Sequence, residues 1–119
     1  MRIVSRRLQH GIAIEVSGEI DLSTAHTVGQ ALLRAEEAHG LVALDLSKTS
    51  FMDSTGLYVL IAANARLRKR GGRLIVVHGP PQIRRLMEIT CVADHLELVD
   101  DAAELERAVA ARGSTPCPS

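Results

Sequence analysis

The chain has 119 residues, 46% hydrophobic and 24% charged, enough for one compact domain with its own core and too few for two. Its 14 Lys and Arg balance 14 Asp and Glu, and Phe51 and Tyr58 are its only Phe, Tyr or Trp residues. Neither a global attraction to nucleic acid or anionic membrane nor a stacking platform for single strands is therefore expected. Residues 3–8 and 12–16 are strand-like runs separated by Gln9, His10 and Gly11, which predicts an antiparallel hairpin. Ala25, Val28, Leu32 and Ala35 recur at helical spacing up to His39-Gly40, where a glycine can end a helix. The runs at 41–46 (LVALDL) and 74–77 (LIVV) are almost continuously apolar, as parallel strands screened by helices are. Between them Leu57, Leu60, Ile61 and Leu67 predict a second helix with a basic end at 66–70, closed by Gly71-Gly72.

After Pro80-Pro81 a short helix is expected to turn Ile83, Leu86 and Met87 inward, followed by a last strand with Leu96, Leu98 and Val99. Asp101 with Glu104 reads as a capping pair for a final helix that buries Leu105, Ala108 and Val109. Residues 113–119 (GSTPCPS) have nothing to pack and are expected to be disordered. The expectation is an α/β fold, one domain over 1–112, with a mixed, mainly parallel sheet of four to five strands opened by the hairpin and covered by about four helices.

Several chemistries have no signature. There is no phosphate-binding G-x-x-x-x-G-K-[ST], no G-x-G-x-x-G, no H-E-x-x-H and no paired C-x-x-C. His10, His26, His39, His78 and His95 fall in separate elements or turns, so structural or surface roles are expected of them and no metal site. Arg66, Arg68, Lys69, Arg70 and Arg73 read as a solvated helix end, favoured by the negative end of the helix dipole. Cys91 and Cys117 are a poor disulfide framework, no run reaches the length of a membrane span, and the start MRIVSRRLQH lacks a signal peptide's apolar segment. A cytoplasmic protein is expected.

One segment is sharply patterned. Phe51-Met52-Asp53-Ser54-Thr55-Gly56-Leu57 joins an apolar strand to an amphipathic helix and places a hydroxyl at a helix N-terminus beyond a strand's end, where α/β proteins keep their sites. Asp53 or Ser54 can equally be an N-cap, a role compatible with a functional one. A hydrolase nucleophile is not expected, because the elbow G-x-S-x-G needs Gly where Met52 stands and no histidine is placed as a base. Gly18-Glu19-Ile20-Asp21, with Ser23 and Thr24 following, forms a second strand-to-helix junction. If both junctions share one sheet edge, Asp21 and Asp53 form an acidic rim around Ser54.

Together with Asp45-Leu46-Ser47 and Gly71-Gly72, these two blocks resemble the STAS domain, and more narrowly the single-domain bacterial anti-sigma factor antagonists, over roughly residues 4–109. The resemblance implies a partner switch in which the unmodified protein binds an anti-sigma factor serine kinase and releases its sigma factor. It places the phosphoacceptor at Ser54, with Thr55 as the alternative, and implies a serine phosphatase that reactivates the protein. It implies no enzyme activity, catalytic residue or cofactor in this chain. Asp21, Ser23, Thr24, Asp53, Ser54, Thr55, Gly56, Leu57 and Tyr58 are then the expected partner-binding residues. The other reading of the same edge is an unmodified STAS module that senses a nucleotide or another small molecule, or serves as a scaffold. Two positions depart from the family pattern. Cys91 stands where a glycine commonly follows the third helix, which leaves the left-handed turn there open. Tyr58 replaces a small or aliphatic residue and reads as a partner contact or as half-buried core.

Overall fold

The hairpin is closed by a two-residue turn, Gln9-His10, between β1 (Arg2–Leu8) and β2 (Gly11–Ile20), with Leu8 opposite Gly11. His10 takes the left-handed backbone (φ 71°), and Gly11 is already a strand residue. Gly11 is needed for a different reason: a Cβ there would lie 2.4 Å from the Leu41 carbonyl oxygen of the neighbouring strand. Then follow α1 (Ala25–Ala38), β3 (Leu41–Met52), α2 (Ser54–Lys69), β4 (Arg73–Val77), α3 (Pro81–Ile89), a 3-10 turn (Val92–His95), β5 (Glu97–Val99) and α4 (Ala102–Ala110). These elements come from a computed structural model that describes residues 1–110. The tail at 113–119 and Cys117 lie outside the described residues.

The five strands lie in the order β1-β2-β3-β4-β5, with β1 antiparallel to β2 and all other pairs parallel. The expected α/β architecture is present, with five strands and four α-helices. Parallel neighbours require crossovers, and α1, α2 and α3 supply them. Their inner residues, among them Val28, Leu32, Leu60, Ala63, Leu67, Ile83 and Met87, pack on Ile14, Val16, Val42, Leu44, Leu46, Leu74 and Val76 of one sheet face. On the other face Ala13, Leu41, Ala43, Ile75 and Val77 meet Leu105 and Val109 of α4. The near-continuous apolar runs of β3 and β4 follow from this, because both of their faces are covered.

The two strands that lead to the conspicuous junctions are longer than their apolar runs. β2 extends from the expected 12–16 to Ile20, and β3 from 41–46 to Met52. Their polar outer halves pair with each other through two register shifts, and the buried Thr49 hydroxyl donates to Val16 O at 2.9 Å. Backbone pairing stabilises this extension, and pairing leaves no hydropathy signal.

The basic end of α2 is only partly a solvated face. The Glu36 side chain, on the inner side of α1, is buried and accepts a bidentate pair from Arg66 (Nε to Oε1 2.8 Å, Nη2 to Oε2 2.7 Å), while Arg70 donates to the Glu36 carbonyl. The Arg66 hydrogen bond to the Glu36 carboxylate is the main reason the Arg66 guanidinium is pushed above its ordinary value. Arg73 pairs with Glu97 across β4 and β5. These arginines tie elements together and are not the solvated helix end that the sequence predicts. His78, at the end of β4, is buried and sits 2.7 Å from Asp100 Oδ1 and 3.0 Å from Gly79 O, a structural histidine. Asp101 and Glu104 cap α4: Glu104 N donates to Asp101 Oδ1 (2.9 Å) and Asp100 N to Glu104 Oε1 (2.8 Å). Cys91 keeps the left-handed turn after α3, at φ 62° and ψ 12°, despite its Cβ.

Candidate functional site

Parallel pairing brings the two junctions together. Ile20, the last residue of β2, is in register with Met52, the last of β3, and Asp53 N donates to Ile20 O at 3.1 Å. Both strands therefore deliver an aspartate, Asp21 and Asp53, to one sheet edge, and each aspartate opens the connection into a helix.

Asp21 folds the first connection onto itself. Its Oδ1 accepts from Ser23 N (3.0 Å), Ser23 Oγ (2.7 Å) and Thr24 N (3.2 Å). Thr24 Oγ1 accepts from Asp21 N (2.9 Å) and donates to Glu19 O (2.8 Å). The Ser23 hydroxyl bond is the largest influence on the Asp21 carboxyl and holds it below its ordinary value. Because Asp21 bonds amides ahead of α1, it shapes the turn, and Thr24 holds the N-cap position.

Asp53 is the N-cap of α2. Its Oδ1 accepts from Thr55 N at 2.9 Å and from the Thr55 hydroxyl, while Gly56 N and Leu57 N go to Asp53 O at 3.1 and 3.3 Å. Ser54 is the first residue of the helix, is exposed, and its hydroxyl has no hydrogen-bond partner among the described residues. Of the two hydroxyls in the block, Thr55's is engaged and Ser54's is available. The acidic rim takes a particular form: Asp21 and Asp53 share the edge, yet each carboxylate is turned into its own loop and neither bonds Ser54.

Gly56 and Leu57 belong to the floor. Both are buried, and a Cβ on Gly56 would lie 2.6 Å from Met52 Cγ and 2.9 Å from Ile20 Cγ2. Their burial makes them the seat that lets the first turn of α2 rest on the two strand ends. Tyr58 is 70% exposed, so the half-buried alternative is excluded. Two further exposed apolar side chains frame the edge and are not among the residues that the sequence pattern singles out: Leu22, 80% exposed in the first connection, and Phe51, 48% exposed beside inward-facing Met52. Leu22 stood in a polar turn and carried no signal. Phe51 was legible from strand alternation once β3 is known to reach it.

Among the described residues no side chain hydrogen-bonds the Ser54 hydroxyl, and no cluster of three or more His, Cys, Asp or Glu is arranged to hold a metal ion. No helix of the described residues is long and apolar enough to cross a membrane. What the edge offers is an exposed hydroxyl with no hydrogen-bond partner among the described residues, beside exposed apolar side chains.

A profile of the STAS domain matches residues 3–105, and the chain belongs to that family. It is 38% identical over 106 residues to the anti-sigma-B factor antagonist of Listeria monocytogenes, covering 88% of this chain and 92% of that protein. It is 30% identical over 101 residues to the anti-sigma-B factor antagonist of Bacillus subtilis, covering 85% and 90%. The fold is shared with the Bacillus cell fate determinant SpoIIAA, an anti-sigma factor antagonist. Its unphosphorylated form superposes with a TM-score of 0.72 at 20% identity over 94% of this chain and 99% of that one. Its phosphorylated form does so with 0.69 at 17% identity over 90% and 99%.

Proposed function

We propose that this chain is an anti-sigma factor antagonist whose edge around Ser54 binds an anti-sigma factor serine kinase, releasing the sigma factor that the kinase holds. Phosphorylation of Ser54 by that kinase ends the binding, and a serine phosphatase restores it. The protein works in the cytoplasm as a regulatory substrate and not as an enzyme. In the transfer step the Ser54 oxygen bonds the γ-phosphorus of ATP as the bond to ADP breaks, and the hydroxyl proton passes to a base on the kinase.

The observation that carries this reading is the exposed, unbonded Ser54 hydroxyl at the start of α2, framed by exposed Leu22, Phe51 and Tyr58. Aromatic and aliphatic side chains around a small polar centre are the composition of a protein-binding patch. The relatives' names and the existence of a phosphorylated SpoIIAA support the same reading. A phosphate brings about −1.5 to −2 charges to a surface fitted to a neutral hydroxyl. An interface penalty of about 3–4 kcal/mol lowers affinity by a few hundred-fold to nearly a thousand-fold.

The test is incubation with ATP and candidate anti-sigma kinases from the same cells, followed by intact mass, peptide mapping and co-purification. A single phosphate on Ser54 that abolishes co-purification is expected. Ser54→Ala should stay bound and unmodified, and Ser54→Asp should bind more weakly. No phosphate with any kinase, and no dependence of binding on either substitution, overturns the proposal.

A further inference from the structure

A dianion on Ser54 would stand at a helix start whose donors, its own amide apart, are already used. The first turn of a helix leaves its amides without intrahelical partners, and these are what normally neutralise a phosphate. In α2 the Thr55 amide and hydroxyl go to Asp53 Oδ1, and the Gly56 and Leu57 amides go to Asp53 O. Only Ser54's own amide has no acceptor among the described residues. At the adjoining strand end Asp21 is likewise held by Ser23 and Thr24. No Lys, Arg or His ion-pairs with Asp21 or Asp53 among the described residues.

Resting on the reading of Ser54 as phosphoacceptor, we propose that Asp53 is a positioning residue of the switch: by occupying the Thr55 amide and hydroxyl it denies both to the phosphate. The dianion then stays unneutralised in the free protein and meets an approaching surface at full charge. A phosphate seated on the helix amides would have much of its field cancelled before any partner arrived. The same bond withdraws the Thr55 hydroxyl from competition, so the block has one acceptor.

The inference is tested without a kinase, by encoding phosphoserine at position 54 during translation. The second ionisation of the phosphate is then followed by phosphorus NMR, and the Thr55 amide by proton–nitrogen NMR, in otherwise unchanged protein and in Asp53→Ala and Asp53→Asn. With Asp53 in place the phosphate should titrate at or above about pH 6, the value of an unassisted phosphoserine, and the Thr55 amide should not follow it. In Asp53→Ala the midpoint should fall by about half to one pH unit, with the Thr55 amide moving downfield along the same titration.

Asp53→Asn separates cap from charge. It keeps an N-cap oxygen while losing the negative charge, so its Thr55 amide should stay fixed through the titration. It also serves if the alanine variant does not fold. A Thr55 amide that follows the phosphate while Asp53 is present overturns the inference, as does one midpoint common to all three proteins. Because the phosphoserine is encoded, these readouts stand apart from the kinase experiment, whose failure would overturn the switch itself.

Discussion

Cys91 and His10 hold left-handed backbone with side chains that resist it. Left-handed geometry costs an ordinary L-residue about 1–2 kcal/mol, whereas glycine gives up about 0.5–1 kcal/mol of chain entropy. Cys91 is exposed, so its side chain returns little packing in exchange. Cys91→Gly should therefore stabilise the protein by about 0.5–1 kcal/mol, read as a higher urea midpoint with an unchanged slope. At this scale the candidate site was largely legible: D-S-T-G singled out Ser54, and G-E-I-D singled out Asp21. Which hydroxyl is available was not, because that depends on Asp53 reaching over Ser54 to Thr55, a bond that exists only once the helix has started.

Among the elements, α2 carries the most consequence, since it begins with Ser54 and ends in the arginines that grip α1. The Glu36 side chain is 2% exposed and Arg66 38%, so removing the guanidinium leaves a carboxylate in the protein without its partner. Arg66→Ala should cost about 2 kcal/mol, below the roughly 3–5 kcal/mol of a fully buried pair because water reaches the arginine side. Arg66→Lys should recover only part of this, since an ammonium cannot reproduce the two-pronged contact. Chemical denaturation of the three proteins checks both expectations. Helical spacing and the Gly71-Gly72 stop located α2, while its charges were read as solvated. Glu36 lies 30 residues from Arg66, and no local pattern reports such a pairing.

Across the whole molecule, the C-terminal half is fastened by His78, Asp100 and Arg84, which join the end of β4, the connection into α4, and α3. The His78 hydrogen bond, followed by the charges of His78 and Arg84, holds the Asp100 carboxyl below its ordinary value. A carboxyl lowered by folding stabilises the native state above its unfolded value of 3.8, and that contribution disappears as pH falls through the folded value. Asp100→Asn should be less stable than the parent at pH 7, and the difference should shrink below about pH 4. Urea unfolding of both proteins at pH 7 and pH 3 measures it, and a difference that is constant with pH would remove Asp100 from the account. Glu88 pairs with Arg84, and the Glu104 carboxylate takes the Asp100 amide, so the comparison is made between the two proteins at each pH.

By itself the sequence determined the kind of fold, the order of its elements and the two polar junctions that form the candidate site. Apolar periodicity marks which side of each helix and strand must leave water, and the D-S-T-G and G-E-I-D blocks are each contiguous in the chain. Tertiary structure decided the rest: the outer halves of β2 and β3, the joining of Asp21 and Asp53 on one edge, the exposure of Leu22, Phe51 and Tyr58, and the Glu36 and Arg66 pair. Each of these depends on backbone pairing or on contacts between residues far apart in sequence, and such contacts are specified by the packed whole and not by any local run of residues.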